Sequence, residues 1–522
     1  ITGRRTRGMP GAYVTSFMSF IVNQPKQRLH RDHLPQPPKH WKDLRKHPFH
    51  QEFGQAAEQE LDSCFIKGCF VLTPAREEDV QEEILPLMWV FSYKFDEDGY
   101  LCKHKARLVV RGDLQDDWGD TYAATLAARV FRFLMGITAA FGLNAYQYDV
   151  RNAFLNAPLD RKLYARTPEG FTQDLGKLLE LKRALYGLKD APLLWYNHLK
   201  ETLKKLGLKP VEGVQCLFTN ARLLVFFYVD DIVVLVHPSY LSYYTQFEQE
   251  LKKEYEIRCL GELRWFLGIR VLRDKPKKRI YLIQDSFIDK VTSKFEIKPS
   301  NRGTGAPLAE DYLEASNEPQ NDHRTRMYQQ LVGSLAYIST FTRPDVARAH
   351  SVLARHLQNP GQKHIGAAYQ VWRYLLRTKY LAISASGDNL QNSYYLTKPE
   401  EAGDELIFYG ASDAAFADDP ERKSSQGYLF SLYGLPIDWK ATVQRSVTKS
   451  TTEAELLALS LAGSELIWWK RLFKQVNFEL GIRPTLFCDN QQTVRIINKA
   501  ENRLNTKMRH VDTHQMWLRQ EA

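Results

Sequence analysis

Two adjacent carboxylates, Asp230 and Asp231, interrupt an otherwise apolar run from Leu223 to Val236 (LLVFFYVDDIVVLV). β-Branched and aromatic residues on both sides predict two buried strands joined by a tight turn. Burying two acids together costs several kcal/mol unless something cationic neutralises them. Mg²⁺ is commonly held by one or two carboxylates plus substrate phosphates, so the hairpin points to phosphoryl-transfer chemistry. The competing reading is a surface Asp-Asp turn, but exposed turns are usually built from small polar residues, and this one is flanked by apolar ones. A third acid, Asp149, ends a predicted strand from Ala145 to Val150. Alone it would read as a cap or turn residue. A strand, a helix predicted from Pro192 to Leu206 and the antiparallel hairpin can, however, bring three carboxylates to one end of a sheet, as two-metal nucleotidyl transfer requires.

The C-terminal part of the chain offers a second set. Phe408 to Ala411, Gly427 to Leu432 and Ile437 to Lys440 read as strands, the first ending near Asp413. Ser450-Thr451-Thr452 offers N-caps for a helix through Glu453, Glu455, Leu456, Leu459 and Ala462. Leu486-Phe487-Cys488-Asp489 ends another strand. Two strand-end aspartates and a helical glutamate can form a metal-binding cluster.

The elements that must position these acids follow from pattern. Phe53 to Leu72 suits a helix followed by a strand, and Val130 to Phe141 is apolar at helical spacing. Met88 to Lys94 and Leu101 to Arg111 read as strands joined by Asp96-Glu97-Asp98-Gly99, where the glycine can take positive φ. In the second strand Lys103, Lys105, Arg107 and Arg111 alternate with apolar residues, which predicts one cationic face. Tyr328 to Arg377 is rich in helical pattern, and a basic cluster (Lys275, Lys277, Lys278, Arg279) surrounds Pro276, either as phosphate contacts or as a solvated hairpin turn.

At 522 residues the chain predicts two to four domains, taking roughly 150 residues for each. Its net charge of +10 suits a polyanionic partner engaged over a long surface. No uncharged apolar stretch approaches the roughly 20 residues needed to cross a bilayer, so the expectation is a soluble protein with no membrane partner. The six cysteines (Cys64, Cys69, Cys102, Cys216, Cys259, Cys488) include one close pair and suggest neither structural zinc nor a disulfide framework. The start, at Ile1 with Arg4, Arg5 and Arg7, has no secretory cleavage pattern and reads as part of a longer product.

Five blocks occur in order: Lys105-Ala106-Arg107-Leu108-Val109; Asp149-Val150 with Asn152-Ala153-Phe154-Leu155; Leu185-Tyr186-Gly187-Leu188-Lys189; Trp195-Tyr196; and Tyr228-Val229-Asp230-Asp231. Together they resemble the reverse transcriptase of copia-type LTR retrotransposons. The resemblance implies an α+β fold: a right-hand polymerase of fingers, palm and thumb, then a connecting segment and an α/β RNase H-like domain. It implies that Asp149, Asp230 and Asp231 hold two Mg²⁺ ions, with Mn²⁺ as a substitute. Phe154 would exclude a ribose 2′-hydroxyl, and Lys105 and Arg107 would bind the triphosphate. Glu455-Leu456-Leu457-Ala458 reproduces the family's spacing, so the nuclease ligands implied are Asp413, Glu455 and Asp489. Glu453 sits about 200° away round the helix.

The expected segments are a basic, proline-containing arm (1–40), the reverse transcriptase (41–297), a connecting segment (298–406) and an RNase H-like domain (407–522) lacking the family's last acid. The stretch from Lys507, with His510-Val511-Asp512, also resembles the family. The implied partners are an RNA template, a DNA primer, an RNA–DNA hybrid and dNTPs, in a cytoplasmic virus-like particle with access to the nucleus. The chain departs from the family at Lys189-Asp190-Ala191-Pro192-Leu193, where Lys-Gln-Ala-Pro-Arg is common. An acid gained and a cation lost both disfavour a nearby polyanion. The alternative function is therefore a catalytically silent nucleic-acid binder left by decay of an element.

Overall fold

The computed structural model describes residues 29–74, 77–96, 99–116, 121–123, 125–171, 177–299, 305–308, 313–387, 407–419, 421–481, 483–498, 514 and 517–518. Most of the basic arm and the His510-Val511-Asp512 stretch lie outside them. The chain is mixed α and β, in two compact units that alternate along the sequence: 1–124, 150–206 and 253–256 form unit 1, and 125–149, 207–252 and 257–522 form unit 2.

In chain order, unit 1 begins with helix α1 (His50–Ile66) and strands β1 (Phe70–Thr73), β2 (Ile84–Leu85), β3 (Leu87–Phe95) and β4 (Leu101–Val110). Helix α2 (Ala128–Ala140) and strand β5 (Asn144–Val150) follow, belonging to unit 2 up to Asp149. Unit 1 resumes with β6 (Tyr164–Arg166), β7 (Leu178–Leu181) and α3 (Ala191–Lys205). Unit 2 continues with β8 (Lys209–Val211), β9 (Val214–Thr219), β10 (Leu223–Tyr228), β11 (Asp231–Val236), α4 (Leu241–Glu254, whose last two residues belong to unit 1), β12 (Ile257–Glu262), β13 (Trp265–Phe266), β14 (Ile269–Asp274) and β15 (Arg279–Ile283). Helices α5 (Asp285–Lys294), α6 (Asp322–Phe341), α7 (Ala347–Ala354) and α8 (Gln362–Arg377) come next. Last are β16 (Ile383–Ser386), β17 (Phe408–Ala415), β18 (Ser425–Leu432), β19 (Leu435–Val443), α9 (Thr451–Gln475), β20 (Thr485–Cys488) and α10 (Gln491–Asn498).

Unit 1 holds the β3–β4 hairpin and a sheet of order β1-β7-β6-β2. The hairpin packs one face on α1, where Phe53 meets Phe91, Tyr93 and His104. Gly99 takes φ +86° in the connecting turn. Lys103, Lys105 and Arg107 share a face of β4, but Arg111 lies one residue past the strand, where it pairs with Asp113 at 2.7 Å. That departs from the expected alternation, because the chain turns into a 3-10 helix (Gly112–Leu114) after Val110.

Unit 2 holds a six-stranded sheet (β12-β5-β11-β10-β9-β8) and two four-stranded sheets, β13-β14-β15-β16 and β19-β18-β17-β20. Strands β10 and β11 are buried on both faces, which explains their near-continuous apolar sequence. Helix α2 is buried over most of its length and apolar apart from Arg129, Arg132 and Thr138. Phe131 stacks on Phe266 and meets Phe226 edge-on, whereas Phe133 stacks on Phe473 of α9. A separate core gathers α5 to α8 around Tyr328, Leu335, Val371 and Trp372. The cluster around Pro276 forms the β14–β15 turn, with Lys275 held by Glu262 at 3.0 Å. Among the described residues no helix is long and apolar enough to cross a membrane.

Candidate active site

Antiparallel pairing sets the first group of acids. Tyr228 pairs with Asp231 across a two-residue turn, and Asp231 pairs with Asp149 on β5. Cross-strand partners point to the same face, so register alone sets two carboxylates side by side, with Asp230 in the adjoining turn. The turn requires Val229 at φ +56°. A β-branched residue there is strained by about 1–3 kcal/mol, which the paired strands must offset. Gln147, two residues before Asp149 on the same strand, donates from Nε2 to Asp231 Oδ1 at 3.3 Å. Burial pushes the Asp231 carboxyl up to about 6, reinforced by the charges of Asp230 and Asp149 and opposed by Gln147. An acid held above its ordinary range by burial, with like charges adding to it, is one that a divalent cation would relieve. The donor set therefore fits a hard metal.

The second group forms where α9 crosses the β17–β20 edge. Ser450 caps α9 by accepting from Glu453 N, and Glu453 in turn accepts from Lys449 N at 2.7 Å. Glu453 is thus engaged at the helix start. Glu455, two residues on, accepts from Ala414 N at 3.3 Å, beside Asp413. Burial raises its carboxyl to about 7, helped by Asp489 and Asp413. Strand β17 runs to Ala415, so Asp413 lies inside the strand, two residues before its end. Among the described residues, Glu455, Cys488 and Asp489 each bring one ligand atom within 4.8 Å of the others. Asp149, Asp230 and Asp231 are not gathered that tightly. Cys488 and Gln147 carried no signal by residue type. Each is recognisable only by its strand position, Cys488 beside Asp489 and Gln147 two residues before Asp149.

In unit 1, three of the ordered sequence blocks meet. The Arg107 guanidinium lies 5.7 Å from the Tyr186 ring, and Phe154 meets Tyr186 edge-on at 5.0 Å. Val110 N donates to Tyr186 O at 2.7 Å, an approach so close that a Cβ on Gly187 would lie 2.1 Å from Val110 O. Phe154 sits in a 3-10 turn that follows Asn152 at φ +51°. Lys105 and Arg107 both act on Glu60 of α1, whose carboxyl burial raises and these cations lower. The sequence reading missed Glu60. It is a competing anion for the two cations.

The departure at Asp190 has a local resolution. Arg161 Nη2 donates to Asp190 Oδ1 at 3.1 Å, and Arg161 Nη1 contacts Oδ2. Burial alone would raise this carboxyl, but Arg161 holds it below its ordinary range. The added acid is therefore paired with Arg161 inside unit 1.

Residues 77–309 match the family model described as reverse transcriptase (RNA-dependent DNA polymerase). The chain is 30% identical over 505 residues to the retrovirus-related Pol polyprotein from transposon TNT 1-94 of Nicotiana tabacum, covering 92% of this chain and 36% of that relative. It is 28% identical over 449 residues to the corresponding polyprotein from transposon RE1 of Arabidopsis thaliana (84% and 29%). It is also 28% identical over 467 residues to the transposon Ty1-GR2 Gag-Pol polyprotein of Saccharomyces cerevisiae (86% and 25%). The class that residues 77–309 match is that of the reverse transcriptases, and over most of its length the chain is similar to the Pol polyproteins of copia-type retrotransposons. It spans about a third or less of the length of these relatives.

Proposed function

We propose that the chain is an RNA-directed DNA polymerase followed by an RNase H-like domain, which copies an RNA template from a DNA primer and cleaves the RNA of the resulting hybrid. In this reading the six-stranded sheet of unit 2 is the palm, the β3–β4 hairpin belongs to the fingers and residues from 407 onward are the nuclease domain. The observation that carries the reading is the pairing of Asp231 with Asp149, next to Asp230, within a segment that matches the reverse transcriptase family. The intracellular setting of a virus-like particle belongs to the same proposal.

Asp149, Asp230 and Asp231 would hold Mg²⁺, two ions by analogy with two-metal sites, which when bound activate the primer hydroxyl and neutralise charge on the triphosphate. The protein's own share is positioning and electrostatics. Gln147 orients Asp231 by its amide hydrogen bond. Lys105 and Arg107 would draw in the triphosphate, Arg107 with its forked donors, at the cost of releasing Glu60. Phe154, braced by Tyr186, would exclude the 2′-hydroxyl by contact. Asp413, Glu455 and Asp489 would serve hybrid cleavage in the same manner, with Glu455 protonated in part near neutral pH until a metal binds.

Extension of a DNA primer on poly(rA) tests the proposal. The unmodified chain should extend the primer with Mg²⁺, and Asp230→Asn should abolish extension. Failure of the unmodified chain would indicate a silent nucleic-acid binder. Extension surviving the substitution would refute the site.

A further inference from the structure

Helix α2 leads directly into β5, the strand that carries Asp149, through a turn closed by Gly142 N to Ala139 O (3.3 Å) and Leu143 N to Thr138 O (3.1 Å). A connection this short does not absorb movement, so whatever holds α2 also holds β5. Much of the hold comes from residues 425–478, more than 280 positions away by sequence.

Two arginines make the junction. Arg129 stacks on Trp468 at 3.6 Å and pairs with Glu465 at 2.6 Å and Asp438 at 3.3 Å. Arg132 is buried over Trp439 at 3.8 Å. Its Nε donates to Ile437 O at 2.8 Å, and its Nη1 donates to Phe341 O at 3.1 Å and to Thr340 O. One guanidinium therefore ties α2 both to β19 and to the end of α6. Lysine has no forked donors and cannot do this. Asp438 also accepts from Trp469 Nε1 at 3.3 Å, and Trp439 Nε1 donates to Ser339 O at 2.7 Å, so these two partners of the arginines are themselves held. A cavity of 330 Å³ remains beside the junction, lined by Arg129, Arg132, His350, Asp438 and Trp439.

We propose that Arg129 and Arg132 are positioning residues for polymerisation, through which β19 and α9 of the C-terminal domain hold the Asp149 strand in register for metal binding. The proposal rests on the polymerase reading above. A buried ion-paired network is seldom the most stabilising filling for a core and is best retained where it specifies one arrangement. Hydrophobic contact alone, as at Phe133, would hold α2 without fixing its rotation or its position along its own axis. The directed hydrogen bonds of Arg132 do fix them.

The test uses the full chain with Arg129→Gln, Arg132→Lys and Trp468→Ala, none of which alters a proposed ligand. Primer extension is titrated with Mg²⁺ at saturating primer and dNTP. The Mg²⁺ midpoint is expected to rise about fivefold in each variant, a modest coupling between distant groups. A role in packing only would lower the folded fraction and leave the midpoint unchanged, and that result overturns the proposal. Hydrogen exchange of residues 145–149 provides a readout independent of activity. It should accelerate in Trp468→Ala, and unchanged exchange would refute the junction even if the parent chain extends no primer. Should Arg132→Lys fail to fold, Arg129→Gln and Trp468→Ala, both at half-buried positions, decide the matter.

Discussion

Asp231 shows what a single residue's surroundings do to its chemistry. Its carboxyl is raised from 3.8 to about 6, first by burial and then by Asp230 and Asp149. Because the folded chain binds this proton more tightly than the unfolded chain, its contribution to stability is greatest below the unfolded value. That contribution is lost as pH rises from about 4 to about 6. Metal-free Asp231→Asn should therefore be more stable than the parent at pH 7.5 by about 1–2 kcal/mol after solvent screening, with the gap closing at low pH. Mg²⁺ should reverse the order, stabilising the parent and hardly affecting the variant. Thermal melts with and without Mg²⁺ across this range check it, and a variant less stable than the metal-free parent would count against the like-charge account. Val229 belongs to the same scale. Its left-handed φ is invisible in an apolar run, since residue type there argues for extended backbone.

At the scale of elements, α9 separates two acids that differ by only two positions. Glu453 closes the cap with Ser450 and Lys449, and Glu455 faces Asp413 and Asp489. Glu453→Gln should cost about 0.5–1 kcal/mol in chemical denaturation and spare hybrid cleavage. Glu455→Gln should abolish cleavage with little loss of stability; the reverse pattern would overturn the assignment of roles. The cap and the helical period were legible in Ser450-Thr451-Thr452 and the leucines that follow, because these are local backbone preferences. The two-strand reading of Leu223–Val236 was legible for the same reason. The reach of β17 past Asp413 to Ala415 was not, because strand length is set by pairing with β18, whose partner positions come from elsewhere in the chain. The end of β4 at Val110, short of Arg111, was not legible either, since a period-two pattern does not announce where a strand stops.

The whole molecule is organised by which segments share a core. Phe133 is fully buried among Trp469, Phe473 and Phe478, so α2 and α9 belong to one packed interior despite their separation in sequence. Phe133→Ala should destabilise unit 2 by about 3–5 kcal/mol. It should lower the unfolding midpoint of both the six-stranded sheet and the β19-β18-β17-β20 sheet together, as followed by hydrogen exchange. Separate midpoints would show two independent cores.

The residue order alone determined the chemistry on offer: acids set in apolar strands, a capped helix with a glutamate, cations alternating along a hairpin and an overall positive charge. These follow from short-range preferences that a local stretch of chain carries with it. Only the tertiary structure decided that Asp149 stands opposite Asp231, that Arg161 neutralises Asp190, that Glu60 competes for Lys105 and Arg107, and that α2 is gripped from both sides. Each of those depends on contacts between distant segments, whose free energy is gained only when the segments pack and whose partners no local pattern names.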